Sequence, residues 1–289
     1  MTDKLHQTIQ LTDGRTLGYA ELGNSDAFPI LFFHGGNGSR LESQWFKSAV
    51  EHHDIRLISP DRPGFGLSDF QPNRTFLDWA NDVKQLTDSL GIEIYSIFGL
   101  SGGAPHVLAV CACHAEQINR AGIISGVAPP NAPNRFEGMW FPIRLLFFFA
   151  RYVPFVKTLF LRQMGNFYSN RDMMEKRMLQ ALPQPDKDLI KNRPDILDIY
   201  VEDATESHRN GIQGDSWEWD LYVNDWGIDI NQIQTDIGLW YGKVDQNAPL
   251  SMGQYYSDTL SNSQLHIVDD GGHFSTINNY IDNILEFLK

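Results

Sequence analysis

The 289-residue chain predicts an α/β fold: a mostly parallel sheet wound with helices and interrupted by an inserted helical cap. Three observations predict it. Apolar runs such as Pro29-Ile30-Leu31-Phe32-Phe33 lack the polar alternation of a half-exposed strand, which marks strands covered on both faces. Helically spaced stretches lie between those runs, as parallel neighbours require. Between residues 129 and 231 the alternation stops, and helical stretches follow one another with no buried-strand run. The expected division is a core of residues 1–128 and 232–289 with a helical cap over 129–231.

Taken in order, Thr8-Ile9-Gln10-Leu11 and residues 16–21 flank Asp13-Gly14, the pattern of a hairpin. The apolar run at 29–33 ends in His34-Gly35-Gly36-Asn37-Gly38. A helix is predicted over 41–50, a strand over 55–59, and a turn-rich loop over 61–69. Phe76, Leu77, Trp79, Val83, Leu86 and Leu90 have helical spacing, and Gly91 closes that helix. A strand over 93–98, a helix over 104–114 and a strand over 121–127 follow. Pro129-Pro130 and Pro133 break the rhythm, and helices are predicted over 140–152, 171–182 and 194–208. Strands over 237–241 and 265–268, with helices over 250–260 and 275–288, resume the core.

Composition narrows the function. A chain with 42% hydrophobic and 20% charged residues has no disordered signature. Its net charge of −13 argues against nucleic acid, whose phosphates need a basic face. The amino terminus lacks an apolar signal-peptide region, and the most apolar run, at 139–149, is broken by Pro142 and Arg144 and is too short to span a bilayer. No integral membrane segment and a cytoplasmic location are expected. Cys111 and Cys113 alternate on one helix, so they point to different sides and read as core residues rather than a disulfide. No H-E-x-x-H, zinc-spaced cysteine pair, dinucleotide or P-loop pattern occurs, so neither metal nor cofactor is implied.

The stretch Gly99-Leu100-Ser101-Gly102-Gly103 has the form G-x-S-x-G between a strand and a helix. Glycines fit where a side chain would strike the neighbouring backbone, and the turn lifts the serine hydroxyl above the sheet. A serine is a poor nucleophile near neutral pH and needs a base, which needs an orienting acid. Asp245 follows the strand at 237–241, and His273 follows the strand at 265–268. Both fall on the edge where Ser101 emerges, in the order serine, acid, histidine. Asp269 and Asp270 compete weakly because they crowd His273 in sequence; Asp220 and Asp225 lie farther off, in the cap. Gly36 and Gly102 are the candidate oxyanion-hole donors, since bare backbone N–H groups admit close approach by a substrate oxygen. His34 is expected to hold its loop rather than react, and Asn37 to cap a helix or touch substrate.

Together these motifs, with Asp61-Arg62-Pro63-Gly64-Phe65-Gly66 and Gly272-His273, resemble the α/β-hydrolase superfamily over nearly the whole chain. The resemblance implies a sheet of the α/β-hydrolase type with Ser101, Asp245 and His273 as nucleophile, acid and base. It also implies a serine hydrolase of a small-molecule acyl substrate, foremost a carboxylic ester. A carbon–carbon bond hydrolase, lactonase or amidase on the same triad, or a ligand-binding regulator retaining it, are the alternatives. The glycine loop resembles that of proline iminopeptidases, although Gly103-Ala104 replaces the tryptophan usual in their elbow.

The cap is electrically uneven, with a net +5 over 135–177 and −8 over 186–229. Its basic half holds Trp140 and Phe147 to Phe149, and Trp140 and Phe148 are the expected walls of an acyl pocket. Aromatics beside arginines also admit weak contact with a lipid surface.

Overall fold

The computed structural model describes residues 4–168 and 170–289. The first three residues of the amino terminus lie outside them. Eight strands form one sheet: β1 (Lys4–Gln10), β2 (Thr16–Gly23), β3 (Phe28–Phe33), β4 (Ile55–Pro60), β5 (Tyr95–Leu100), β6 (Ile118–Ile124), β7 (Ile237–Gly242) and β8 (Ser263–Val268). Their spatial order is β1-β2-β4-β3-β5-β6-β7-β8, antiparallel across β1, β2 and β4 and parallel elsewhere. β3 has the later β4 on one side and β5 on the other, so the winding direction reverses between β3 and β5. A crevice opens at the carboxyl ends of strands at such a switch point.

The central strands β3, β5 and β7 are mostly apolar because both faces are covered, whereas the edge strands β1 and β8 are partly exposed. On β3, Leu31 and Phe33 face a cluster containing Trp79, Val107 and Leu108, while Ile30 and Phe32 face one containing Phe46, Ile277 and Ile284. Helices α2 (Phe76–Ser89) and α3 (Ala104–Cys113) thus cover one face, and α1 (Lys47–His52) and the carboxyl-terminal helix cover the other. Each fully buried large apolar side chain contributes about 1.5–3 kcal/mol relative to exposure. Thr75 starts α2 by accepting from Asp78 N–H, and Asp78 accepts in return from Thr75 N–H. Within α3, Cys111 is buried and Cys113 exposed, both free.

Between β6 and β7 the described chain passes through α4 (Phe141–Tyr152), α5 (Pro154–Tyr168), α6 (Arg171–Ala181), α7 (Gln184–Asn192), α8 (Pro194–Ser207) and α9 (Gln213–Val223). α10 (Leu250–Thr259) and α11 (His273–Leu288) complete the core. No described helix is long and apolar enough to cross a membrane.

Several boundaries differ from the sequence expectation. The helix expected over 41–50 is a 3-10 turn, Arg40–Phe46, followed by the short α1. In that turn Arg40 and Glu42 point inward to Asp61 and to Gly35 N–H. β5 runs on to Leu100, because Gly99 and Leu100 still pair with neighbouring strands. β6 starts at Ile118 and stops at Ile124, where Ser125 turns to φ +46°. Helices α5, α7 and α9 were not anticipated. α7 opens with Pro185 in its first turn, where a missing N–H costs nothing, so a proline that reads as a break is a start. α9 buries Gly214, Asp215 and Glu218 along with Tyr222, and so lacks a distinct apolar stripe.

Candidate active site

Ser101 caps β5 at the switch point, with φ +54°, a left-handed conformation that strains any residue bearing a side chain. The turn closes only because its neighbours are glycine. A Cβ on Gly99 would lie 2.8 Å from Val107 Cγ2, and one on Gly103 only 2.3 Å from the Phe33 carbonyl oxygen. The first turn after Ser101 is 3-10 and leads directly into α3, so Gly102 N–H stands at a helix amino terminus.

Asp245 lies in the loop after β7 and His273 begins α11, in the loop after β8. His273 Nδ1 lies 2.8 Å from Asp245 Oδ2, and Asp245 Oδ1 accepts from the N–H groups of Asn247 (2.7 Å) and Ala248 (3.1 Å). The carboxylate therefore has its orientation set by backbone on one oxygen and by imidazole on the other. Both residues are buried. Burial of the ring opposes its protonation, but the Asp245 charge and hydrogen bond outweigh it, helped by Asp186 and Glu42. The result is a His273 pKa above the usual imidazole value. Asp269 pairs with Lys243 and Asp220 with Lys157, and Asp270 and Asp225 are exposed, so His273 meets Asp245 instead.

Ser101, His273, Gly36, Gly102, Asn37 and Trp140 all line one cavity of about 290 Å³. Its remaining wall is largely apolar, with Ile143, Leu146, Phe147, Met174 and Met178, while Glu42 and Arg177 add two charged side chains. Asn37 hydrogen-bonds the Tyr200 hydroxyl. Trp140 N–H donates to the Gln246 carbonyl at 2.8 Å, tying the start of α4 to the Asp245 loop. Phe148 is placed elsewhere. It is 51% exposed and lines a separate surface groove, because α4 turns Phe147 inward and its neighbour outward.

The glycine loop after β3 is held from beneath. Arg62 donates to the carbonyls of His34 (2.5 Å) and Gly35 (2.8 Å), and its Nε meets Glu218 of α9 at 2.5 Å. Glu218 also accepts from Arg74 (2.7 Å) and from the Tyr222 hydroxyl (2.6 Å), which reaches on to the Gly102 carbonyl at 3.1 Å. All these side chains are buried. Glu218 resists protonation: desolvation opposes its charge, but Arg62, His106 and Arg74 hold its pKa well below the usual carboxylate value. His34 is neutral, its pKa lowered by burial and by Arg62. Arg62 N–H donates to its Nε2 at 3.3 Å, so Nδ1 carries the proton and donates to the Gly35 carbonyl at 2.9 Å. The loop and elbow approach so closely that a Cβ on Gly102 would lie 3.1 Å from Gly36 Cα.

Three further carboxyl groups at the site carry no local sequence signal. Glu42 Oε2 accepts from Gly35 N–H at 2.6 Å, and burial raises its pKa to about 7. Asp203 of α8, buried beside it, accepts from the N–H and hydroxyl of Ser39. Asp186, in the first turn of α7, caps the helix that starts at His273. Its Oδ2 accepts from His273 N–H (2.9 Å), and its Oδ1 from the N–H of Phe274 (3.1 Å) and of Ser275 (2.8 Å) and from the Ser275 hydroxyl (2.7 Å). A Cβ on Gly272 would lie 2.5 Å from this carboxyl group, so the bare N-cap position makes room for a cap supplied by another helix. Glu218, between Trp217 and Trp219, did carry a signal: a charge inside an aromatic run is buried only when paired.

Comparison with known proteins agrees with this architecture. The family described as alpha/beta hydrolase fold matches residues 29–280. This chain belongs to that family. It is a hydrolase of the α/β class. It is 24% identical over 256 residues to 2-hydroxymuconate semialdehyde hydrolase of Pseudomonas putida, covering 87% of this chain and 83% of that one. Among solved structures it resembles the enol-lactonase of Burkholderia xenovorans LB400 (TM-score 0.68, 18% identity, 98% of this chain and 99% of that one). It likewise resembles a thermophilic esterase of Thermogutta terrifontis (TM-score 0.70, 17% identity, 98% and 97%). At those identities the structural likeness concerns the fold.

Proposed function

We propose that the protein is a serine hydrolase acting through an acyl-enzyme on Ser101, with a carboxylic ester of a small-molecule acyl substrate as its principal substrate class. The observation that carries this reading is the Asp245–His273 pair, 2.8 Å apart, at a cavity that Ser101 enters from a strained elbow. Ser101 Oγ attacks the acyl carbonyl as His273 takes its proton, and Asp245 stabilises the resulting imidazolium. The N–H groups of Gly36 and Gly102 receive the oxyanion. His273 then protonates the departing alcohol, and water, deprotonated by the same imidazole, releases the acid and restores Ser101. Residues 129–231 serve as a cap over this site, with Trp140 and Phe147 supplying apolar wall and Asn37 a polar contact at the glycine loop.

A second reading, lactone or carbon–carbon bond hydrolysis on the same triad, is favoured by Arg177 in the cavity wall. Its guanidinium suits a substrate bearing a carboxylate, and the relatives include a hydrolase of 2-hydroxymuconate semialdehyde.

The decisive experiment combines fluorophosphonate labelling with steady-state turnover of p-nitrophenyl esters. Wild type should be labelled at Ser101 and turn over, and Ser101→Ala should lose labelling and about three or more orders of magnitude of kcat. Ordinary esterase activity in Ser101→Ala would refute the site. Preference for lactones or carboxylate-bearing ketones, lost in Arg177→Met, would select the second reading. Labelling without turnover of any panel member would refute both in favour of a ligand-binding role.

A further inference from the structure

The outer side of α4 and α5 presents an apolar stripe that the reaction does not use. Phe141, Leu145, Phe148 and Tyr152 follow at helical spacing, and Phe155 and Leu159 continue the series on α5. They are 68%, 37%, 51%, 69%, 76% and 59% exposed. Scattered exposed apolar residues are common; six large ones in one stripe, four of them aromatic, are not.

The charge around the stripe is as unusual. Residues 138–171 contain five Lys or Arg and no Asp or Glu, in a chain whose net charge is −13. Of these, Lys157 is buried against Asp220, while Arg144, Arg151 and Arg162 are exposed.

A third observation lies in the groove of about 550 Å³ beside the stripe, lined by Arg135, Phe136, Arg144, Phe147, Phe148 and Arg151 among others. Arg135 is only 5% exposed, and its Nε and Nη2 have no hydrogen-bond partner among the described residues. Its guanidinium lies 4.8 Å from the Phe136 ring centroid and 4.7 Å from that of Phe147, and among the described residues no carboxylate pairs with it. A buried guanidinium with unused donors is costly unless something supplies acceptors.

We propose that this face docks on an anionic lipid surface, with the aromatic stripe entering the headgroup layer and Arg135, Arg144 and Arg151 receiving lipid phosphates. Apolar area with a basic rim is the composition of an interfacial helix, and the inner leaflet that faces the cytoplasm is negatively charged. A second copy of the chain fits less well, because a twofold contact would set this basic face against an identical basic face. The inner side of α4 lines the catalytic cavity through Ile143, Leu146 and Phe147, so a docked molecule would hold that cavity next to the membrane.

The test is co-sedimentation of the full chain with vesicles of phosphatidylcholine alone and of phosphatidylcholine mixed equally with phosphatidylglycerol. Wild type should bind the mixed vesicles, not the neutral ones, and raised salt should release it. The Phe148→Ser/Phe155→Ser and Arg144→Gln/Arg151→Gln double variants should each bind about tenfold or more weakly. None of these four residues lines the catalytic cavity, so turnover of a short soluble ester should not change. Arg135→Met should lose the preference for anionic vesicles while melting no lower than wild type, since an unpaired buried charge is removed. Absence of binding, equal binding to neutral vesicles, or wild-type binding by the variants would overturn the proposal. So would a dimer that Phe148→Ser/Phe155→Ser dissolves, or binding of dissolved decyl phosphate without binding of vesicles.

Discussion

Asp186→Ala removes the acceptor for three backbone N–H groups and one hydroxyl at the amino terminus of α11. Gly272 offers no side chain to replace it, and the donors are buried. Each buried donor left unsatisfied costs about 1–3 kcal/mol, so three cost roughly 3–6 kcal/mol once partial rescue by water is allowed. Global stability should fall by that amount in a denaturant titration, and kcat should fall with it because His273 carries the first of those N–H groups. Asp186→Asn separates charge from scaffold. Its carbonyl keeps the contacts of one oxygen, its amide group faces His273 N–H, and the negative charge that helps raise the His273 pKa is gone. In the proposed mechanism His273 must be neutral to take the Ser101 proton, so its raised pKa would place the acid limb of kcat/KM above the ordinary imidazole range. In Asp186→Asn that limb should move to lower pH while the maximum drops. A variant that melts with wild type and keeps an unmoved acid limb would refute the reasoning, as would a limb that moves upward.

Two other outcomes follow from the same region. Glu218→Ala leaves Arg62 and Arg74 buried without their carboxylate, which should cost about 3–5 kcal/mol in chemical denaturation and loosen the loop carrying Gly36. Glu42→Gln should flatten the pH dependence of stability. Burial raises the Glu42 pKa to about 7 from 4.5, so its contribution is fully present below pH 4.5 and is lost as pH rises towards 7. Thermal melts across that interval should show wild type matching the variant at low pH, where Glu42 is neutral like glutamine, and falling below it as pH rises towards 7, and parallel pH curves for the two proteins would be the contrary result.

Legibility from sequence followed the range of the interactions. The elbow was readable because Gly99, Ser101 and Gly103 are constrained by backbone within a few residues. The placement of Asp245 and His273 together was readable because each follows its own strand, and a parallel sheet brings the ends of β7 and β8 to one edge. Asp186 was not readable, because it acts on a residue 87 positions away and looks locally like a first-turn acid. Helix α9 escaped for a related reason: Gly214, Asp215 and Glu218 are among its buried residues, so no apolar stripe marks it. Phe148 shows the limit of composition, since its identity is indistinguishable from that of Phe147 until the rotation of α4 is known.

The Arg62–Glu218–Arg74 cluster has a bearing on how such a protein can be re-engineered. Two positive charges come from the strand-bearing part and their shared counter-charge from α9, close to where the chain returns to β7. A chimera that replaced the inserted helices with those of another hydrolase would transplant specificity only if the donor segment also delivered a carboxylate to that spot. Without it, the recipient scaffold would inherit two stranded cations in its interior. The inserted segment is therefore not an interchangeable module, and its seam has to be cut on the far side of Glu218.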